Sequence, residues 1–257
     1  IWDNEKLLNA KQTLPTCSIK RKNSIRRFLV NISQYDYLLE LVKKRRTIRQ
    51  FKPDPVPDEY ITRIIEVARW APSAFHTQPW EFVVIKNTEI KNQIVVALEQ
   101  HAPPIKDPAK KDLPRRSFKD APVFILLLCD WRTKVGLPDQ ASQDQTRVAG
   151  LYNSSLASAF LYMHLAATAL GLASQWYTST SREETEIAIK EIIGIPESLT
   201  IYDMMVIGYE ANPPDTKIVR DLAEMAHYDN CGVQDFRTDE EVKKYAQITK
   251  DWCISGH

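Results

Sequence analysis

Arg45-Arg46-Thr47-Ile48-Arg49-Gln50-Phe51 and, further along, Ala71-Pro72-Ser73-Ala74-Phe75-His76-Thr77-Gln78-Pro79-Trp80 are the two stretches on which the reading of this chain turns. The first masses Arg45, Arg46 and Arg49 around the hydroxyl of Thr47. Arginine presents planar, permanently charged forks to a phosphate, and a hydroxyl adds a neutral donor. If the chain is extended after Arg46, Thr47 and Arg49 share a side. The bland alternative is a solvated basic helix end that complements the helix dipole. The second stretch has two prolines, three small residues and Trp80, with Ser73, His76, Thr77 and Gln78 as neutral hydrogen-bonding groups. It is a rigid, largely apolar corner that suits a planar heterocycle with polar edges. It reads equally as a helix-to-strand corner anchored by Trp80, with His76 a structural histidine.

Between and around these blocks the pattern is mixed. A helix is expected over 35–45, with Tyr35, Leu38, Leu39 and Val42 on one face. Pro53, Pro55 and Pro57 enforce extended chain. Asp58 is the expected N-cap of a helix carrying Ile61, Ile64, Ile65 and Ala68, which Pro72 ends. Residues 81–85 read as a strand and 88–100 as a helix, and 101–118 mix proline and charge as a mobile loop or lid. The apolar run 121–129 predicts a strand covered on both faces. A long helix is expected from about Ser142 to Leu170, broken near Gly171. Ser181-Arg182-Glu183-Glu184 has the pattern of a capping box, for a helix stopping at Gly194. Residues 201–208 read as a strand and 239–252 as a helix. The order implies three segments: an arm, 1–34; a main domain, 35–228; and a partly helical extension, 229–257.

Bulk properties exclude several functions. The 257 residues are enough for a full core in one large domain or two at most. The formal net charge of +1 gives no global pull toward nucleic acid or anionic membrane. The basic runs 20–27 and 43–49 leave a nucleic-acid or phospho-ligand module as a reading, but Phe28 alone accompanies the first run. Four cysteines, none in a CxxC pair, and five histidines without an HExxH give no metal site. Cys129 reads as a buried thiol, and a reducing cytoplasm is the simplest home. The start of the chain shows no apolar core of signal-peptide type. The stretch 148–181 has no Asp, Glu, Lys or Arg, but Asn153, His164 and Gln175 make it a helix buried in protein rather than one facing lipid. Seven glycines, none spaced as GxG, exclude the dinucleotide fingerprint and the P-loop. A nucleotide-like ligand would be held by side chains and helix ends.

Two further groups complete the set. Gln175-Trp176-Tyr177-Thr178-Ser179-Thr180 follows the uncharged helix. Its aromatics and hydroxyls could stack on and donate to a ring, or form a plain strand. Lys217 and Arg220 could close over the same phosphate or face water.

In this order the pieces resemble the nitroreductase family of FMN-dependent oxidoreductases. They are RRTIRQF, VPDEYITRIIEVARWAPSAFHTQPWEFVVIKN, APVFILLL, ALGLASQWYTST, IIGIPESLTIYDMMVIGY and VRDLAEMAHYD, covering about 35–228. The resemblance implies an α+β fold, a mixed sheet flanked by helices, in an intertwined homodimer with two flavins at the interface built by the uncharged helix. It implies that Arg45, Arg46 and Thr47 hold the FMN phosphate and that Arg49 lies at the flavin N1/O2 edge. Pro72, Ser73, Ala74 and His76 would reach the flavin from the other subunit, His76 standing where many members carry Asn. Ser155 would contact it from the long helix. Trp176, Tyr177, Thr178 and Ser179 would flank it, with the backbone N–H of Thr178 nearest N5. Lys217 and Arg220 would close on the phosphate.

The activity so implied is ping-pong transfer of electrons from NADH or NADPH through FMN to an electron-poor small molecule such as a nitroaromatic, quinone or enone. The catalytic residues would be Thr178 and Arg49, with no metal, nucleic acid or membrane involved. Specialised flavin chemistry on the same fold, as in reductive dehalogenases and flavin destructases, is the alternative. The His-Thr pair before Gln78-Pro79-Trp80 is similar to iodotyrosine deiodinase, although the acidic-aromatic lid of that activity is not evident in 101–118.

Overall fold

The computed structural model describes residues 33–102, 117–214 and 216–254. The chain divides into two units, 1–44 and 45–257. In the first, the described part is helix α1, residues 33–44. The arm 1–32 and most of the expected lid, 103–116, lie outside the described residues.

The second unit is built on a five-stranded sheet. Its strands are β1 (Phe51–Lys52), β2 (Trp80–Ile85), β3 (Val123–Asp130), β4 (Ala173–Tyr177) and β5 (Leu199–Glu210). The order is β1-β5-β3-β2, with β4 also paired to β5. All of these pairs are antiparallel, and among the described residues the parallel component is a single bridge between Thr47 and Ser174. The helices are α2 (Asp58–Ala68), α3 (Thr88–Gln100), the single turn α4 (Asp139–Ser142), α5 (Gln145–Ala169), α6 (Glu183–Ile193) and α7 (Asp239–Ile254).

β3 explains the layering. Val123, Ile125, Leu127 and Cys129 face one side, with Met205 and Ile207 of β5, and meet Ile64 and Ala68 of α2 and Tyr152, Leu156, Phe160 and Met163 of α5. Phe124, Leu126 and Leu128 face the other, with Met204 and Val206, and meet Ile94 and Leu98 of α3 and Ile189 of α6. Alternation along a central strand buried on both faces requires the continuous apolar run that the sequence shows. Cys129 is a buried free thiol, pushed up to about 12 first by burial and then by Asp130. β5 carries a register shift: Leu127 pairs with Asp203 and Leu128 with Ile201, leaving Tyr202 as the extra residue. A bulge re-aims side chains locally, and Tyr202 packs against the α5 layer, where Asp203 also lies beside Trp176.

Several helix ends differ from expectation. Pro57, not Asp58, is the N-cap of α2; Asp58 is its first residue, and its carboxylate pairs with Lys86. The capping box at Ser181 does not form, because the chain makes a 3-10 turn over Ser179–Ser181 and the Ser181 hydroxyl donates to the Thr178 carbonyl (2.9 Å). The long helix begins at Gln145, where the Asp144 carboxylate accepts from the Arg147 N–H, rather than at Ser142, which closes the separate turn α4. Gly194 ends α6 in the left-handed conformation (φ 80°), as its lack of a Cβ permits. Phe118, at the end of the expected lid, is buried in a 3-10 turn over 117–120.

Candidate active site

The basic block follows α1 and runs beside the start of β4. The Ile48 N–H donates to the Ser174 carbonyl (3.0 Å), next to the Thr47–Ser174 bridge. Ile48 is buried in the second core layer, so in an extended segment Thr47 and Arg49 take the opposite side. Arg45 and Arg46 are both half-buried. Burial, and then the charge of Arg46, holds the Arg45 guanidinium below its ordinary value. A pair of cations brought together and partly desolvated is costly alone and favours an anionic partner.

β4 is the plain strand that the sequence left as an alternative, and its side chains divide between the two core layers. Trp176 packs against Phe160 and His164, its ring 5.6 Å from His164 and within 8° of parallel. The Trp176 indole N–H donates to Asp203 Oδ2 (2.5 Å). Tyr177 lies on the other side, its ring 4.7 Å from Phe118. Both rings thus pack against the core layers, Tyr177 buried and Trp176 partly accessible. Thr178 is exposed and begins the turn that Ser179 continues.

The 71–80 corner is strained. Phe75, His76 and Gln78 all have positive φ (51°, 56° and 47°) without being glycine. Each such conformation costs about 1–3 kcal/mol and persists only where the surroundings over-determine it. They do so here. The Gln78 N–H donates to Ser73 Oγ (3.1 Å), Thr77 Oγ1 donates to the Ala74 carbonyl (2.9 Å), and the Ala74 N–H donates to Ser155 Oγ (3.0 Å). Ser155 Oγ in turn donates to the Leu151 carbonyl (2.8 Å), so this hydroxyl clamps the corner to α5. Phe75 at the tip is 57% exposed.

The two blocks attach to α5 at different places. The corner is bonded to Ser155. The basic block reaches the helix through Ser174, whose Oγ is 2.7 Å from His164 Nδ1. Nine residues of helix correspond to about 13 Å and roughly half a turn of rotation. Ser155 and His164 therefore lie on opposite sides of α5. The outward stripe of that helix, Gly150, Ser154, Ala157, Leu161, Leu165 and Thr168, is uncharged and at least partly accessible.

Buried polar groups that lack a partner concentrate near these blocks. Among the described residues the buried side-chain atoms without a hydrogen bond are His164 Nε2, Gln175 Oε1, Thr180 Oγ1 and Arg220 Nε. Leaving such a group unsatisfied costs about 1–3 kcal/mol, and three of the four lie on or against β4 and the turn after it. Arg220 lies 3.5 Å from a Glu224 carboxylate oxygen through Nε and donates from its terminal nitrogen to the Glu224 carbonyl (2.8 Å); Lys217 is exposed. The donors at 45–49 and the orphaned polar groups of 175–180 fit a ligand with a phosphate at one end and a hydrogen-bonding ring at the other. A cavity of about 770 Å³ between α3 and α6 is lined by none of these residues.

Two residues of this region are not among those the sequence assigns to the site. His164 is the one histidine in the uncharged stretch, and Asp203 is the one charged residue between Leu199 and Tyr209 of β5. A lone titratable group in an apolar run is the signal that marks them. Burial, and then the charge of Arg45, brings His164 down to about 3; burial raises Asp203 to about 6 against the opposing hydrogen bond from Trp176.

The profile of the Nitroreductase family matches residues 42–209. The chain belongs to the nitroreductase family. It is 28% identical over 186 residues to a Methanothermobacter thermautotrophicus protein provisionally named NADH dehydrogenase/NAD(P)H nitroreductase, covering 72% of this chain and 83% of that one. It is 26% identical over 187 residues to the iodotyrosine deiodinase of Thermotoga neapolitana, covering 68% of this chain and 90% of that one. In fold it matches a crystal structure of oxidized iodotyrosine deiodinase bound to FMN and 3-iodo-L-tyrosine, with a TM-score of 0.59, 23% identity, and coverage of 76% of this chain and 100% of that one. Among the described residues no helix is long and apolar enough to cross a membrane.

Proposed function

We propose that this protein is an FMN-dependent oxidoreductase that takes electrons from NADH or NADPH and passes them, in a ping-pong cycle, to an electron-poor small molecule. The carrying observation is the joining of the Arg45–Thr47 block to β4 through Ser174, with unpartnered polar atoms along and after that strand. FMN when bound would supply the hydride and electron chemistry, and the protein supplies binding, orientation and electrostatics. Arg45, Arg46 and Thr47 hold the phosphate, with Lys217 and Arg220 closing on it. Arg49 stabilises negative charge at the N1/O2 edge. The turn at Thr178 and Ser179 presents backbone toward N5.

The corner Pro72–His76 serves the site of a second copy. Its attachment to α5 at Ser155, on the side away from His164, supports this, as does the uncharged outward stripe of the same helix. The functional unit is accordingly a homodimer.

Arg45→Ala is expected to remove a charged hydrogen bond worth about 1.5–3 kcal/mol, weakening FMN roughly 10- to 150-fold. Arg49→Ala is expected to leave FMN bound and lower its potential. Titration of flavin fluorescence and a potentiometric titration separate the two; equal effects of both variants on both properties would contradict these roles.

Reductive dehalogenation of an aromatic is the second reading, favoured by the deiodinase relatives. The acidic-aromatic lid expected of that activity is not evident in residues 101–118. Substrate reduction with dithionite but no oxidation of NADH or NADPH would move the weight to it.

A further inference from the structure

Ser174, His164, Trp176 and Asp203 form a buried seam through the α5 face of the sheet. Ser174 and His164 are each 1% exposed and Asp203 is 6% exposed. Ser174 Oγ meets His164 Nδ1 at 2.7 Å, the His164 and Trp176 rings lie parallel, and the Trp176 N–H meets Asp203 Oδ2 at 2.5 Å. Phe160 stands edge-on to both rings, 5.0 Å from His164 and 4.6 Å from Trp176.

We infer that this seam positions β4 for the cofactor, with Asp203 as a positioning residue that acts through Trp176; this rests on the flavin reading above. β4 is where the two halves of the proposed site join. Its Ser174 carbonyl receives the Ile48 N–H of the phosphate-binding block, and its last residue, Tyr177, precedes the backbone assigned to the ring. The two β4 side chains that face α5, Ser174 and Trp176, are each tied by a polar bond to a different element, α5 and β5. Apolar side chains would fill the same space without the desolvation cost of an acid and an imidazole. A satisfied polar bond adds direction, which apolar packing lacks. The indole is bonded to Asp203 and packed against the rings of His164 and Phe160, which resists sliding and tilting of β4. Sites of this kind lose function when displaced by about 1 Å. The bulge at Tyr202 lets Asp203 and Tyr202 both serve the α5 face.

The test uses the full chain as wild type, Asp203→Asn, Asp203→Leu and Trp176→Phe. FMN affinity, the midpoint potential of bound FMN and the urea midpoint of the apoprotein are measured for each. Asp203→Leu and Trp176→Phe are expected to weaken FMN at least tenfold and to displace its potential. Asp203→Asn still offers an oxygen to the indole and is expected to restore both toward wild type. Should Asp203→Leu fail to fold, Trp176→Phe, which keeps an aromatic ring in the stack, carries the test. Affinity and potential within twofold and unshifted in Trp176→Phe, with only the urea midpoint altered, would overturn the inference alone. A wild type that takes up no FMN would overturn the flavin reading and this inference with it.

Discussion

Leu161→Glu is expected to leave a folded monomer that no longer holds FMN. Leu161 is 44% exposed and lies at the centre of the uncharged stripe of α5, so a carboxylate there is solvated in the single chain. In the proposed dimer the stripe faces its own copy, and the same substitution buries an uncompensated charge from each side. Such a charge costs about 3–5 kcal/mol, and a two-fold interface counts it twice, so the dimer should form only at concentrations roughly 10⁴-fold higher or more. The corner Pro72–His76 would then be missing from each flavin site. Gel filtration with light scattering reads the mass, and the retained 450 nm absorbance reads the cofactor. A variant that remains dimeric with full flavin would remove α5 from the interface.

The second large effect is on acid stability, and it sets His164 against Asp203. His164 has its folded value near 3 against an ordinary 6.5. Between these values the unfolded chain holds the extra proton, so stability falls as the pH falls, by about 5 kcal/mol over the whole window. Asp203 has its folded value near 6 against an ordinary 3.8. There the folded chain holds the extra proton, and stability rises as the pH falls, by about 3 kcal/mol over the whole window. The two contributions oppose each other over that range. Asp203→Asn removes the compensating group, keeps an acceptor for Trp176, and leaves the loss from His164 uncovered. The variant should therefore be at least as stable as wild type at pH 7. It should lose about 2 kcal/mol more than wild type between pH 7 and pH 4. Urea midpoints at pH 7, 5 and 4 measure the difference, in which the other titrating groups cancel. Identical pH dependence of the two proteins would mean that Asp203 is not held protonated at mildly acidic pH.

The fold was legible where one physical signal acted alone. The run 121–129 announced a strand buried on both faces, and Gly194 announced a helix end. Caps were less legible, because Asp58 and Ser181 are suitable residues whose side chains found other partners, Lys86 and the Thr178 carbonyl. β4 was ambiguous for the same reason that makes it useful: aromatic and hydroxyl residues serve a strand and a ligand equally. The basic block could be read as a cluster of charge, but its attachment to β4 is a backbone bridge and leaves no mark in residue type. The strain at Phe75, His76 and Gln78 was invisible, since left-handed backbone is normally flagged by glycine and this corner has none. His164 and Asp203 stood out only as isolated titratable residues in apolar runs, and nothing in the sequence says that Trp176 lies between them.

The visible absorption spectrum of the purified protein, recorded anaerobically before and after addition of NADH or NADPH, tests the central claim most directly. Flavin bands that bleach on addition of the reductant are the predicted result. A protein that stays colourless after incubation with FMN would contradict the account.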